Sequence, residues 1–181
     1  MTIPEHLETY LGPISRGWAP LDNRWGIQVS LFENTPEPGV RTYATLGLSR
    51  HVLGSGSKQV RQELVFSTRA HYEADDVASF LMTLAEEVAR NTKGLLRGEV
   101  IEGKPLIAGA RTTGVYASIP VFWPDGFHVL ESTTPGTVFV WMLPIDHAEA
   151  QLIASTGWSL FEDKLEEADC DFWNLNRPSL V

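Results

Sequence analysis

The chain has 181 residues, 43% of them hydrophobic and 20% charged, with a formal charge of -9. Its length fits one domain spanning 1–181, and its composition excludes a disordered or fibrous chain. The longest apolar runs, such as Val138 to Pro144, fall far short of the roughly 18 residues of a membrane span, and the acidity argues against a nucleic-acid binder.

No signal peptide opens the sequence, and Cys170 has no partner cysteine, so a cytoplasmic, reducing location is expected. Asp169 and Asp171 flank that thiol and disfavour its thiolate, which argues against a nucleophile.

In chain order, Thr2, Pro4 and the apolar Leu7, Tyr10 and Leu11 predict a short helix that Gly12 and Pro13 stop. Trp25, Ile27, Val29 and Leu31 alternate with polar neighbours, as in a strand with one buried face. The segment Glu33 to Gly39 carries two prolines and a glycine and reads as a turn. Strands are predicted over Val40–Leu48 and Val60–Thr68, the three forming an antiparallel meander. Val77, Phe80, Leu81, Leu84 and Val88 then recur at helical spacing between Asp75 and Asn91.

A loop follows around Gly98, Gly103 and Pro105, with strands expected at Val115–Phe122, Phe127–Glu131 and Thr137–Leu143 and a turn at Trp123–Gly126. Asp146 and Glu149 make a capping box for a helix that Gly157 ends, with Ile145 placed to staple onto Ala150. A second short helix is expected after it, capped by Ser159, with Leu160, Phe161 and Leu165 inward and Glu162, Asp163, Glu166 and Glu167 outward. A polar tail ends at Arg177-Pro178-Ser179. The predicted fold is α+β, a mixed, largely antiparallel sheet covered by helices.

Gly47-Leu48-Ser49-Arg50-His51 has His51 where a nucleophile elbow needs glycine, and a glycine–serine loop follows where the elbow needs a helix. In the structural reading Gly47 lets two backbones approach, Ser49 caps a strand end and Arg50 is on the surface. A small serine hydrolase using Ser49 and His51 is the catalytic alternative. Gly54-Ser55-Gly56-Ser57-Lys58 lacks the P-loop spacing and reads as a hairpin loop.

The five histidines show no zinc spacing, and the capping box accounts for the carboxylates beside His147. Glu63, if it faces inward, needs a partner such as Arg61, Arg111 or His51, because a lone buried charge is costly. No cofactor, metal or catalytic residue emerges. The acidic stretch Glu162 to Asp171 and the six tryptophans suit encounter with a basic protein partner.

The ordered set Thr45-Leu46-Gly47-Leu48-Ser49-Arg50, Glu63-Leu64-Val65, Gly98-Glu99-Val100-Ile101 and Leu143-Pro144-Ile145 leading into Glu149 resembles the Suppressor of fused domain family. The resemblance runs from about Trp25 to Arg177 and implies a non-enzymatic binding domain on an α+β sandwich. Animal members hold a transcription-factor peptide between this domain and a second one; a single domain is expected here, so that two-domain groove is not expected. Bacterial members resemble immunity proteins that neutralise secreted polymorphic toxins by direct binding, and the short acidic chain fits that group. Ser49, Arg50, His51, Glu162, Asp163, Glu166 and Glu167 are the expected partner contacts, with a basic toxin domain as the expected partner. A regulatory module that binds a peptide is the other binding reading.

Overall fold

A computed structural model describes residues 1–103 and 106–181; the expected loop position Pro105 lies outside the described residues. The first helix, α1 (Ile3–Leu11), starts at Thr2, whose hydroxyl accepts from the Glu5 amide while the Glu5 carboxylate accepts from the Thr2 amide. The strand β1 (Arg16–Trp18) then pairs antiparallel with β2 (Gln28–Glu33), and β2 with β3 (Val40–Leu46).

A 3₁₀ turn over Leu48–Arg50 leads into the hairpin of β4 (Leu53–Ser55) and β5 (Lys58–Arg69), whose tip is the glycine–serine stretch. Helix α2 (Ala74–Asn91) crosses one face of the sheet. The strands β6 (Val100–Glu102), β7 (Gly114–Ser118), β8 (Val129–Leu130) and β9 (Thr137–Ile145) follow, and then α3 (His147–Thr156) and α4 (Trp158–Glu167).

One sheet runs β1-β2-β3-β5-β9-β7-β6, with β4 on β5 and β8 on β9 at its side. Every described strand pairing is antiparallel except β5 with β9. Since β9 lies at the centre, its side chains feed two cores: Val140 and Met142 pack under α2, while Phe139, Trp141, Leu143 and Ile145 pack under α1, α3 and α4. An apolar run at a sheet centre is the expected composition of a strand covered on both faces.

The same three-layer arrangement corrects the expectation of one buried face for β2. Ser30, Leu31 and Phe32 are all buried in succession, because helices or loops cover both sides of the sheet there. Strand boundaries differ as well: the predicted strand Val40–Leu48 ends at Leu46, where Gly47 turns the chain, and Thr137–Leu143 runs on to Ile145. The predicted strand Val115–Phe122 ends at Ser118, ahead of Pro120, which has no N–H to continue a ladder. Phe127 ends a 3₁₀ turn over Asp125–Phe127, so the next strand begins at Val129.

Ser159 is no cap. Gly157 alone joins α3 to α4, at a φ of 87° that favours glycine, and Ser159 lies inside the helix. Leu160 faces solvent, because the inward row of α4 is Phe161 and Leu165, four residues apart. The polar tail is anchored by buried side chains: Trp173 enters the core under α1, α3 and α4, and Leu175 the core under α2.

Candidate partner-binding surfaces

Glu63 is fully buried on β5, and among the described residues no cation touches it. Its Oε2 accepts from the Thr45 hydroxyl at 2.6 Å. Its Oε1 accepts from the Gly47 amide at 2.9 Å, the Ser49 amide at 3.1 Å and the Ser49 hydroxyl at 2.7 Å. The cationic partners expected from sequence are thus replaced by two hydroxyls and two backbone amides. Burial pushes the Glu63 pKa upward against those donors.

The donors reach Glu63 because β3 breaks at Gly47, whose φ of 111° turns the chain into the 3₁₀ helix. A Cβ at Gly47 would lie 2.2 Å from the Gly26 carbonyl oxygen, so this position admits only glycine. Thr45, Gly47, Ser49 and Glu63 are therefore one structural unit. His51 Nε2 bonds the Trp25 carbonyl at 2.8 Å and Ser49 Oγ bonds Glu63, so the hydrogen bonds of the two residues run to different partners and form no Ser–His dyad. Arg50 is exposed at the rim of the unit.

A second locked carboxylate stands at α3. Asp146 and Glu149 form the predicted capping box, and Glu149 also receives Arg177 through two nitrogens, at 2.6 and 2.9 Å. Glu149 and Arg177 are both buried. Sequence reasoning found the box but not Arg177, which lies 28 residues away in the tail. His147 points outward to Glu102 and Gln151. Among the described residues no group of three or more His, Cys, Asp or Glu side chains could hold a metal ion. Burial, followed by the nearby carboxylates Glu149, Asp171 and Asp169, pushes the Cys170 thiol up, against the pull of Arg177.

The acidic stretch is split by α4. Six carboxylates and one lysine lie between Trp158 and Asp171. Glu162 sits beside the buried row and is itself paired: Arg97 donates from Nε at 2.9 Å and again from Nη2, and the Tyr116 hydroxyl donates at 2.7 Å. Burial pushes its carboxyl upward, but these bonds outweigh it and hold the group below the ordinary glutamate value. The outward orientation expected for Glu162 is corrected by these contacts. Asp163, Glu166 and Glu167 are exposed or half-exposed, and none is ion-paired with another described residue.

Beside them lies a groove of about 310 Å³ between α4 and the segment after β7. Trp141 and Leu143 line it from the sheet, and Val121 and Phe122 from the segment. Val121 is 57% exposed and Phe122 42%. Trp158, 40% exposed, stacks under the Arg97 guanidinium at 4.9 Å, and Leu160 is 43% exposed. Exposed apolar groups bordered by charge mark a place where another surface fits. The Phe122 and Val121 contribution was not legible in sequence, where both were assigned to a strand.

A mixed sheet covered on both faces, pinned by two buried carboxylates and carrying an acidic, aromatic groove, defines an α+β scaffold with a candidate partner-binding surface. The model of the Suppressor of fused protein (SUFU) family matches residues 24–178, and the chain belongs to that family. Immunity protein YqcF of Bacillus subtilis (strain 168) is 23% identical over 159 residues, covering 86% of this chain and 82% of that protein. The crystal structure of a SUFU homologue from Neisseria gonorrhoeae FA 1090 superposes with a TM-score of 0.77 at 20% identity, covering 98% of this chain and 93% of the other. The Sufu–Fu complex structure gives 0.75 at 14%, covering 98% and 90%. No helix among the described residues is long and apolar enough to cross a membrane.

Proposed function

We propose that this chain is an immunity-type binding protein that neutralises a basic toxin domain by covering it with the exposed face of α4 and the neighbouring aromatic groove. The observation that carries this reading is the combination of three free carboxylates, Asp163, Glu166 and Glu167, with the exposed side chains of Val121, Phe122, Trp158 and Leu160. Acidic side chains steer a basic partner into encounter, and aromatic side chains in a groove supply the buried area that slows dissociation. Its relative in Bacillus subtilis carries the name immunity protein, which supports the same assignment.

The test is co-expression with a toxin encoded beside this chain, read as growth rescue and as a purified complex. Rescue by the native chain is expected. In the variant D163K/E166K/E167K the association rate should fall about tenfold at low salt and much less at about 0.5 M, since screening removes steering. Rescue that is absent, or an association rate untouched by these three reversals, overturns the reading. The Sufu–Fu likeness favours a second reading, a regulatory module that takes an endogenous peptide. It prevails if the native complex contains such a partner and no toxin is bound.

A further inference from the structure

We propose that the cavity between the loop around Asn23–Gln28, the 3₁₀ turn at Leu48–Arg50 and Arg61 is a receptor for a carboxylate side chain of a protein partner. The cavity measures about 470 Å³. Two guanidiniums, Arg50 and Arg61, line it and no carboxylate does, in a chain whose acidic residues outnumber its basic ones by 23 to 14. A concave wall carrying only positive groups on an acidic protein is complementary to an anion.

Arg61 is held by the backbone next to the Glu63 unit, and Arg50 extends from that same turn. Arg61 Nη1 donates to the Ser49 carbonyl at 2.7 Å and to the Arg50 carbonyl at 3.3 Å, and its Nε to the Thr134 carbonyl at 3.4 Å. Its Nη2 has no partner among the described residues. Arg50 follows Ser49, whose amide and hydroxyl are both fixed on Glu63. The Arg50 guanidinium passes over Gly26, where an added Cβ would lie 3.4 Å from Nη1, and Arg50 is in no ion pair with another described residue. His51 ties the opposite wall down through the Trp25 carbonyl.

The Asn23 side chain lines the same space, and its Oδ1 is buried without a donor. A carboxylate accepts two parallel N–H bonds from a guanidinium, and fixed donors lose less freedom on binding than mobile ones. A single exposed ion pair contributes little, so recognition here depends on two arginines and a shaped wall.

That the occupant belongs to a protein rests on the binding function proposed above, whereas the anion selectivity does not. The cavity shares no lining residue with the α4 groove, so the two can fail separately. The experiment titrates the full chain with the blocked peptide acetyl-Gly-Glu-Glu-Gly-amide, its Gln counterpart and inorganic phosphate, reading arginine Nε–Hε resonances. The Glu peptide should shift Arg50 and Arg61 saturably, and the Gln peptide should not. R50Q, at an exposed position, should weaken the Glu peptide at least fivefold with an unchanged spectrum elsewhere, and R61K should weaken it while keeping a cation. Saturation by phosphate alone, equal response to both peptides, or no saturable shift overturns the proposal. Intact toxin binding alongside such a failure would leave the α4 reading standing.

Discussion

At the scale of single residues, Glu63 is where sequence and structure diverge most instructively. Its need for partners once buried is legible, but its burial does not follow from the alternation of β5, which puts Leu64 and Phe66 on the other side; it follows from both faces of the sheet being covered. The partners themselves do not follow, because two are backbone amides that a sequence cannot distinguish from any others, and all lie 14 to 18 residues away across a glycine turn.

The chemistry makes a graded prediction. Glutamine keeps an acceptor for the Gly47 and Ser49 donors and can donate its NH2 to Thr45, whose oxygen already accepts from the Leu64 amide. E63Q should therefore fold with a urea midpoint close to that of the native chain. E63L leaves the Gly47 and Ser49 amides buried without an acceptor and should cost about 2–6 kcal/mol, at about 1–3 kcal/mol per orphaned amide.

The pH dependence has a definite sign. A carboxyl whose folded pKa lies above its ordinary value of 4.5 contributes fully below that value, and the contribution is lost as pH rises through the folded pKa. The stability of the native chain relative to E63Q should thus decline from about pH 4.5 upward, measured by urea unfolding across pH. A rising difference would show that the four donors dominate burial.

Among the elements, helix starts with a side-chain cap were legible, and α2, which has none, was legible from its apolar spacing alone. Thr2–Glu5 and Asp146–Glu149 mark the starts of α1 and α3 because the capping chemistry is written in the residue types. Gly157 caps α4 with backbone alone, so the start of that helix was misplaced onto Ser159. The strands β1, β4 and β6 have three residues each, too few for a period of two to show.

The acidic face of α4 was visible as composition, but its partition was not, since Arg97 and Tyr116 remove Glu162 from the free carboxylates only once β7 is adjacent. What seats α4 is Phe161 in the core and Trp158 against Gly98. A Cβ on Gly98 would come within 2.5 Å of the Trp158 ring, at a φ of 94° that side chains rarely adopt. G98A should therefore cost about 1–3 kcal/mol and speed amide exchange in α4 while leaving α2 protected. F161A should cost about 3–5 kcal/mol, as removal of a large buried aromatic does. Equal exchange in α4 of G98A and the native chain would mean that Trp158 does not seat the helix.

For the whole molecule, the deciding feature is how one tail closes both layers. The sequence reads the segment after α4 as a polar tail, yet it bonds to the rest of the fold repeatedly. The Trp173 carbonyl accepts from the Arg69 amide at 2.9 Å and the Leu175 carbonyl from the Thr112 amide at 3.1 Å. Tyr72 donates to Asn174 and Arg69 to Asp171. Because Trp173 and Leu175 enter opposite cores, the tail connects the α2 layer to the layer of α1, α3 and α4.

Arg177 fastens it, donating to Glu149 through two nitrogens and to the Pro144 carbonyl at 3.0 Å. A buried pair broken on one side leaves an uncompensated charge, at about 3–5 kcal/mol, whereas replacing both partners by neutral groups of similar size restores much of that. R177A should lower stability by that amount and release 171–181 to rapid amide exchange. R177M/E149Q should recover more than half of the loss, since a glutamine in place of Glu149 removes the buried charge and keeps an acceptor for one of the two amides, of Asp146 and Leu180, that the carboxylate now serves through separate oxygens. If R177M/E149Q is as unstable as R177A, the ion pair is not what the tail contributes, and the two apolar anchors, Trp173 and Leu175, carry the closure of the layers.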